Sequence, residues 1–257
     1  MTDAASSFEP QARLEGRDVL VAGGLGAVGR ATAALAARLG ARAILLHRRT
    51  DAEAAECLAG LPGTGHFAVQ ASITDSASLA RAAAVVKERC GKLDVLVNTA
   101  GFTKPVAAAD LDALDDALID AIFQANWRGV FATIRALRPL LEASGDGLVV
   151  NVSSISATTG TGSNLAYVAA KAGLDILGKS LGRALAPRIR VLTVSPGVVE
   201  SGFVPGRGAD FNAKAAASTP LKRVGRPEDV AAAIVACATQ LRFATGQTFV
   251  VDGGRSL

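Results

Sequence analysis

Three polar side chains between Asn151 and Lys171 have the types and spacing for acid–base chemistry: Ser154, Tyr167 and Lys171. Tyr167 and Lys171 stand four apart in an Ala-rich run, so a helix puts them on one face. Ser154 follows the apolar run Leu148 to Val152, where a strand would end, and the Gly- and Thr-rich stretch Thr158 to Ser163 reads as the loop between them. A free tyrosine titrates at about 10, too high to exchange a proton readily near neutrality. A neighbouring ammonium favours the phenolate and lowers that value, each unit being worth about 1.4 kcal/mol. Such a phenol could protonate a carbonyl oxygen or deprotonate an alcohol. The Ser154 hydroxyl could hydrogen-bond the same oxygen as its charge develops. A Tyr and a Lys at this spacing also occur on ordinary helices, so the reading depends on the elements around them.

Those elements must bring a strand end and a helix start to one point. Short apolar runs read as strands at Val19 to Ala22, Ala43 to His47, Phe67 to Gln70, Val95 to Asn98, Leu148 to Val152, Val191 to Val194 and Thr248 to Val251. Their apolar residues are consecutive, as in strands buried on both faces. Helical patterns lie between them at Val28 to Leu39, Ala52 to Leu58, Ser76 to Cys90, Leu111 to Leu141, Leu165 to Ala186 and Pro227 to Thr239. No repeat or linker interrupts the alternation. The sequence therefore predicts an α/β fold: a doubly wound, Rossmann-like parallel sheet of about seven strands, helices on both faces, in a single domain over 1–257. Residues 1–16 read as an N-terminal extension. The weakly patterned, Gly-, Ala- and Lys-rich segment 199–224 reads as a substrate lid.

Ligands of such a sheet bind at the strands' carboxyl ends, and the motifs fall there. Gly24, Gly26 and Gly29 fit G-x-G-x-x-G between the first strand and the first helix, the context of a dinucleotide-binding turn. The second strand ends in His47, Arg48 and Arg49, where a carboxylate about 20 residues past the glycines would hold the ribose of NAD. Guanidinium without carboxylate suits a 2'-phosphate, which favours NADP (NADPH) over NAD. Asn98 is placed to tie neighbouring strands. Asn126, a poor residue for the middle of a helix, suggests a local kink or a bound water. Pro196-Gly197 turns the chain at another strand end.

Composition narrows the alternatives. Half of the 257 residues are hydrophobic, yet no apolar run approaches the roughly 18 residues of a membrane span. The polar N-terminus does not read as a secretory signal. Three scattered cysteines without CxxC spacing argue against a disulfide framework or zinc site, so no metal is expected and a cytoplasmic location is. A net charge of +4 without a basic cluster, with one Trp and one Tyr, argues against nucleic acid as a partner.

Together these motifs resemble the short-chain dehydrogenase/reductase family in its shorter, single-domain branch, over nearly the whole chain from Gly16 to Gly254. Ser154, Tyr167 and Lys171 are similar to its catalytic set, and Asn126 to its fourth member. NTAG resembles its NNAG, and SPGVVES its nicotinamide-side motif. GRPEDVA and TGQTFVVDGG resemble its C-terminal signatures. The chain departs from the family's T-G-x-x-x-G-x-G with Ala22 and Ala27, carries Gly26 where NADP-dependent members often place a basic residue, and has Ser72 where an Asp commonly meets adenine.

The resemblance implies Tyr167 as acid/base, Ser154 holding the substrate oxygen, Lys171 on the nicotinamide ribose lowering the Tyr167 pKa, and Asn126 holding a proton-relay water. It implies a cofactor lined by Gly23, Leu25, Gly26, Ala27, Val28 and Gly29, then by His47, Arg48, Arg49, Ser72 and Ile73. Asn98, Ala100 and Gly101, with Tyr167 and Lys171, and Pro196, Gly197, Val199 and Ser201 would complete that lining. The substrate would meet Ser154, Ser156, Thr159, Asn164, Tyr167 and Phe203. A homotetramer or homodimer would form through the helices at Leu111 to Leu141 and Leu165 to Ala186 and the last strand. The expected function is an NADP(H)-dependent oxidoreductase interconverting a ketone and a secondary alcohol. A small free substrate is preferred to a carrier-bound one because LLEASGDG before the fifth strand has no Lys or Arg. The alternatives are an NAD-dependent alcohol dehydrogenase, a 3-oxoacyl-carrier-protein reductase, an epimerase, or a non-catalytic nucleotide-binding scaffold.

Overall fold

The computed structural model describes residues 13–257. The proposed N-terminal extension lies outside the described residues over 1–12. Of its remainder, Leu14 is buried, and its backbone N–H donates to the Leu39 carbonyl at 2.7 Å.

Seven strands form the sheet: β1 (Asp18–Ala22), β2 (Arg42–His47), β3 (Phe67–Gln70), β4 (Val95–Asn98), β5 (Gly147–Val152), β6 (Ile189–Pro196) and β7 (Thr248–Val251). Every pairing is parallel, in the order β3-β2-β1-β4-β5-β6-β7. Strand direction of growth reverses between β1 and β4, which opens a crevice at their carboxyl ends. The consecutive apolar residues divide between two cores. Leu20, Leu96 and Val149 face one side, whereas Val21, Val97 and Val150 face the other.

The helices are α1 (Ala27–Arg38), α2 (Asp51–Ala59), α3 (Ser76–Cys90), α4 (Asp116–Phe123), α5 (Gly129–Ala143), α6 (Ser156–Thr159), α7 (Leu165–Ala184), α8 (Ala209–Ser218) and α9 (Pro227–Thr239). Buried residues of α1, α2 and α9 pack on the Val21 side of the sheet, and those of α3, α5 and α7 on the Leu20 side.

The long helix expected over Leu111 to Leu141 starts later and is broken. Two Asx caps delay it: Asp110 accepts from the Ala113 N–H at 3.1 Å, and Asp115 from the Leu118 N–H at 2.7 Å. A π-helical turn at Gln124–Arg128 then separates α4 from α5. Two short helices were not expected. They are α6, which takes in the start of the stretch read as a Gly- and Thr-rich loop, and α8, inside the lid, where only Ala215 is buried and the apolar period is weak.

Candidate active site

Ser154, Tyr167 and Lys171 converge beyond the carboxyl end of β5. The α7 N-terminus is fixed by Asn164, whose Oδ1 accepts from the Tyr167 backbone N–H at 2.7 Å, so the cap sets the first turn that carries the phenol. One turn on, the Lys171 Nζ lies 5.6 Å from the Tyr167 ring centroid and donates to the Val152 carbonyl at 2.8 Å. The Ser154 Oγ donates to the Ser156 Oγ at 3.0 Å.

Burial dominates the electrostatics. It pushes the Tyr167 phenol up to about 12, against the opposing pulls of the Ser154 hydroxyl and the Arg207 charge. It also pushes the Lys171 ammonium down to about 8, with Asp175, one turn further along α7, acting the other way. The expectation that Lys171 lowers the phenol is therefore corrected for this structure. The ammonium is spent on a carbonyl, and desolvation of the phenol outweighs the charges around it.

These side chains open onto a cavity of about 900 Å³ that runs along the strand ends from Arg48 to Arg255. At its far end is the turn between β1 and α1. Gly23 has φ +84°, and a Cβ there would stand 2.7 Å from the Ala100 backbone nitrogen. A Cβ on Gly29 would collide with the Gly23 carbonyl oxygen. Only glycine fits either position. Gly26 caps α1 without a side chain, leaving the first N–H groups of the helix facing the cavity.

A family model described as enoyl-(acyl carrier protein) reductase matches residues 24–256. The chain is a short-chain dehydrogenase/reductase. It is 36% identical over 243 residues to cis-4-hydroxycyclohexanecarboxylate dehydrogenase of Sinomonas cyclohexanicum, covering 93% of this chain and 96% of that one. It is 33% identical over 247 residues to a 3-oxoacyl-[acyl-carrier-protein] reductase of Thermotoga maritima, covering 94% and 98%. A solved short-chain dehydrogenase/reductase from Brucella melitensis superposes with a TM-score of 0.88 at 28% identity, covering 95% and 98%. The protein is thus an NAD(P)-dependent oxidoreductase acting on CH–OH or C=O groups.

The short-chain dehydrogenase/reductase cavity fits a dinucleotide. Gly23, Leu25, Gly26, Ala27, Val28, Gly29, His47, Arg48, Arg49, Ile73, Ala100 and Gly101 all line it. So do Pro196, Gly197, Val199 and Ser201 near Tyr167 and Lys171. Among the described residues, both ring nitrogens of buried His47 lack partners and no Asp or Glu lines the cavity. An anionic ligand with hydroxyl groups matches that donor set. Arg48 is exposed, whereas Arg49 is engaged by Glu53 at 3.0 Å beside the Thr50 cap of α2.

Other residues act behind the wall. Asn126 is fully buried in the π turn; its Nδ2 donates to the carbonyls of Phe102 at 2.6 Å and Ile122 at 2.9 Å, while its Oδ1 has no partner. Asn98 donates to the Asn151 Oδ1 at 3.0 Å, tying β4 to β5. Ser72 turns to Thr74 at 2.8 Å and does not line the cavity.

Two substrate expectations need correcting. Asn164 spends Oδ1 on the α7 cap and Nδ2 on Thr103 and Lys104, and it is buried away from the cavity. Thr159 is exposed, and its hydroxyl donates to the Ile155 carbonyl at 3.0 Å. Ser154, Ser156 and Phe203 do line the cavity, with the Phe203 ring 6.1 Å from that of Tyr167. The segment LLEASGDG lies at the amino ends of the strands, opposite the site, so its charge does not bear on docking at the mouth. Arg207, Phe211, Asn212 and Arg255 also line the cavity, and sequence reasoning missed them. The lid's weak apolar period concealed α8, which carries Phe211 and Asn212, directly follows Arg207 and meets Arg255 at its C-terminal end.

Proposed function

We propose that the protein interconverts a small ketone and the corresponding secondary alcohol with NADP(H). The observation that carries this is one continuous cavity. The Ser154 hydroxyl and Tyr167 phenol share it with a glycine turn, a helix N-terminus and the exposed Arg48, and among the described residues no carboxylate competes for the ribose. The nicotinamide cofactor, when bound, supplies or accepts the hydride.

The chain's own groups handle the oxygen. At neutral pH the buried phenol of Tyr167 is protonated, the form that gives its proton to a carbonyl oxygen during reduction. Ser154 donates to the same oxygen. The resulting phenolate gains from the hydroxyl of Ser154 and the guanidinium of Arg207. Asn126, with its free Oδ1 buried behind Gly101, is the residue to hold a water that resupplies the proton. The segment 199–224, with α8, serves as the lid of a single domain.

Relatives named for carrier-linked and for small substrates both align over more than nine-tenths of the chain, and the aromatic wall that Phe203 and Phe211 give the cavity favours the small class. Exposed Phe123 on α4, Leu165 and Ile176 on α7 and Val250 on the edge strand β7 favour a homotetramer, which light scattering would report and a monomer would contradict. A cytoplasmic enzyme accords with the free thiols of Cys57, Cys90 and Cys237.

Calorimetric titration tests the cofactor assignment. NADPH is expected to bind at least about tenfold more tightly than NADH, with the preference lost in Arg48→Ala. Tighter NADH binding would overturn the assignment to NADP. Trp127 is a poor reporter for this titration because it stacks on Phe131 and lies against Gly173, outside the cavity.

A further inference from the structure

We infer that Arg207 is an anion-binding residue at the catalytic end of the cavity and that the substrate carries a carboxylate which it receives. The inference deepens the ketone–alcohol reading above and rests on it for the identity of the reacting group.

Among the described residues, five cations line the cavity and no carboxylate does. Their partners set them apart. Arg49 is held by Glu53, and the Lys171 ammonium by the Val152 carbonyl. Arg255 caps the end of α8 through the Ala215 carbonyl at 3.0 Å and the Ser218 hydroxyl at 2.7 Å. Arg48 stands at the opposite end, beside the glycine turn. The Arg207 guanidinium has no hydrogen bond or ion pair with any described residue. It lies over the Phe211 ring at 4.3 Å. Asp210, its nearest acidic neighbour in sequence, is exposed on the first turn of α8 and makes no ion pair with it.

Stacking fixes the plane of the guanidinium and leaves its N–H fork free, the geometry that accepts a carboxylate through two parallel hydrogen bonds. Half-buried and next to the Arg255 charge, the cation is held in an unfavourable setting that an incoming anion relieves. Arg207 and Tyr167 line the same cavity and the Arg207 charge reaches the phenol, which places the carboxylate on the same small molecule as the reacting carbon. The phosphate of a carrier's prosthetic arm does not meet this requirement, because the whole pantetheine chain separates it from the ketone.

The test begins with binding, which needs no turnover. Cyclohexanecarboxylate and the neutral cyclohexanecarboxamide are titrated into cofactor-saturated protein by calorimetry. The anion is expected to bind about 30-fold more tightly, the preference to vanish in Arg207→Met and to return in part in Arg207→Lys. Equal affinities in the unaltered protein, or a preference that survives Arg207→Met, would overturn the inference. Turnover of cyclic and straight-chain oxo acids against their methyl esters is then compared in the same variants. Both substrates lose the charge that favours the phenolate in Arg207→Met, so a clearly larger fold-loss of acid turnover than of ester turnover supports the subsite, and equal losses on both contradict it. An Arg207-dependent binding preference without turnover of any ketone would sink the catalytic reading and leave the anion site standing. Ketone turnover indifferent to charge would do the reverse.

Discussion

Lys171 shows how much of the site's chemistry is carried by burial. Its ammonium is almost wholly removed from water and its pKa falls from 10.5 to about 8, a drop of two and a half units, or roughly 3 kcal/mol of stability given up at neutral pH. The unfolded chain binds the proton more tightly, so the penalty is full below pH 8 and fades as pH rises from about 8 to 10.5. Lys171→Met should therefore raise the melting temperature at pH 7 by several degrees, after allowing about 1 kcal/mol for the lost bond to Val152. The advantage should shrink towards pH 10.5 while turnover is lost. Thermal melts across that range check this, and a variant less stable than the parent at pH 7 would contradict it. The four-residue spacing of Tyr167 and Lys171 was legible in the sequence because it depends only on helix period. The direction of the Tyr167 shift was not, because desolvation depends on what the lid and α4 lay over the ring.

At the scale of elements, α7 is aimed by its cap. Asn164 satisfies the first-turn N–H of Tyr167 and pins the preceding loop to Thr103 and Lys104. Asn164→Ala should cost about 1–2 kcal/mol of stability and lower turnover more than it weakens cofactor binding, since the phenol loses its register. Denaturant titration with steady-state kinetics measures both, and unchanged turnover would show that the cap does not position Tyr167. Six of the strands were legible to within a residue, because fully buried parallel strands are runs of consecutive apolar residues, whereas β6 runs two residues beyond its expected bounds at each end. The π turn around Asn126 was signalled only by an awkward residue in a helix. Its form follows from the buried amide reaching the Phe102 and Ile122 carbonyls, pairs distant or ambiguous in sequence. The helix α8 buries one residue, Ala215, and gave no period to read.

Over the whole molecule, the sheet order gathers the loops after β1, β2, β4, β5 and β6 along one edge, and charge is distributed along that edge. Arg48 and Arg49 stand at one end, Lys171 in the middle, and Arg207 and Arg255 at the other, with no acid among the lining residues. The first half of this pattern could be read from motifs near the strands. The second half arises only when the lid and the C-terminal tail fold against each other, where Arg255 meets α8. The central claim is that Tyr167 donates the proton in ketone reduction. The measurement that reaches it most directly is the NADPH-dependent rate on a panel of oxo acids for the parent and for Tyr167→Phe, with cofactor affinity measured on the same samples. Turnover should fall by about 10³-fold or more while NADPH binds with nearly unchanged affinity. A Tyr167→Phe variant that reduces ketones at close to the parent rate would contradict the account.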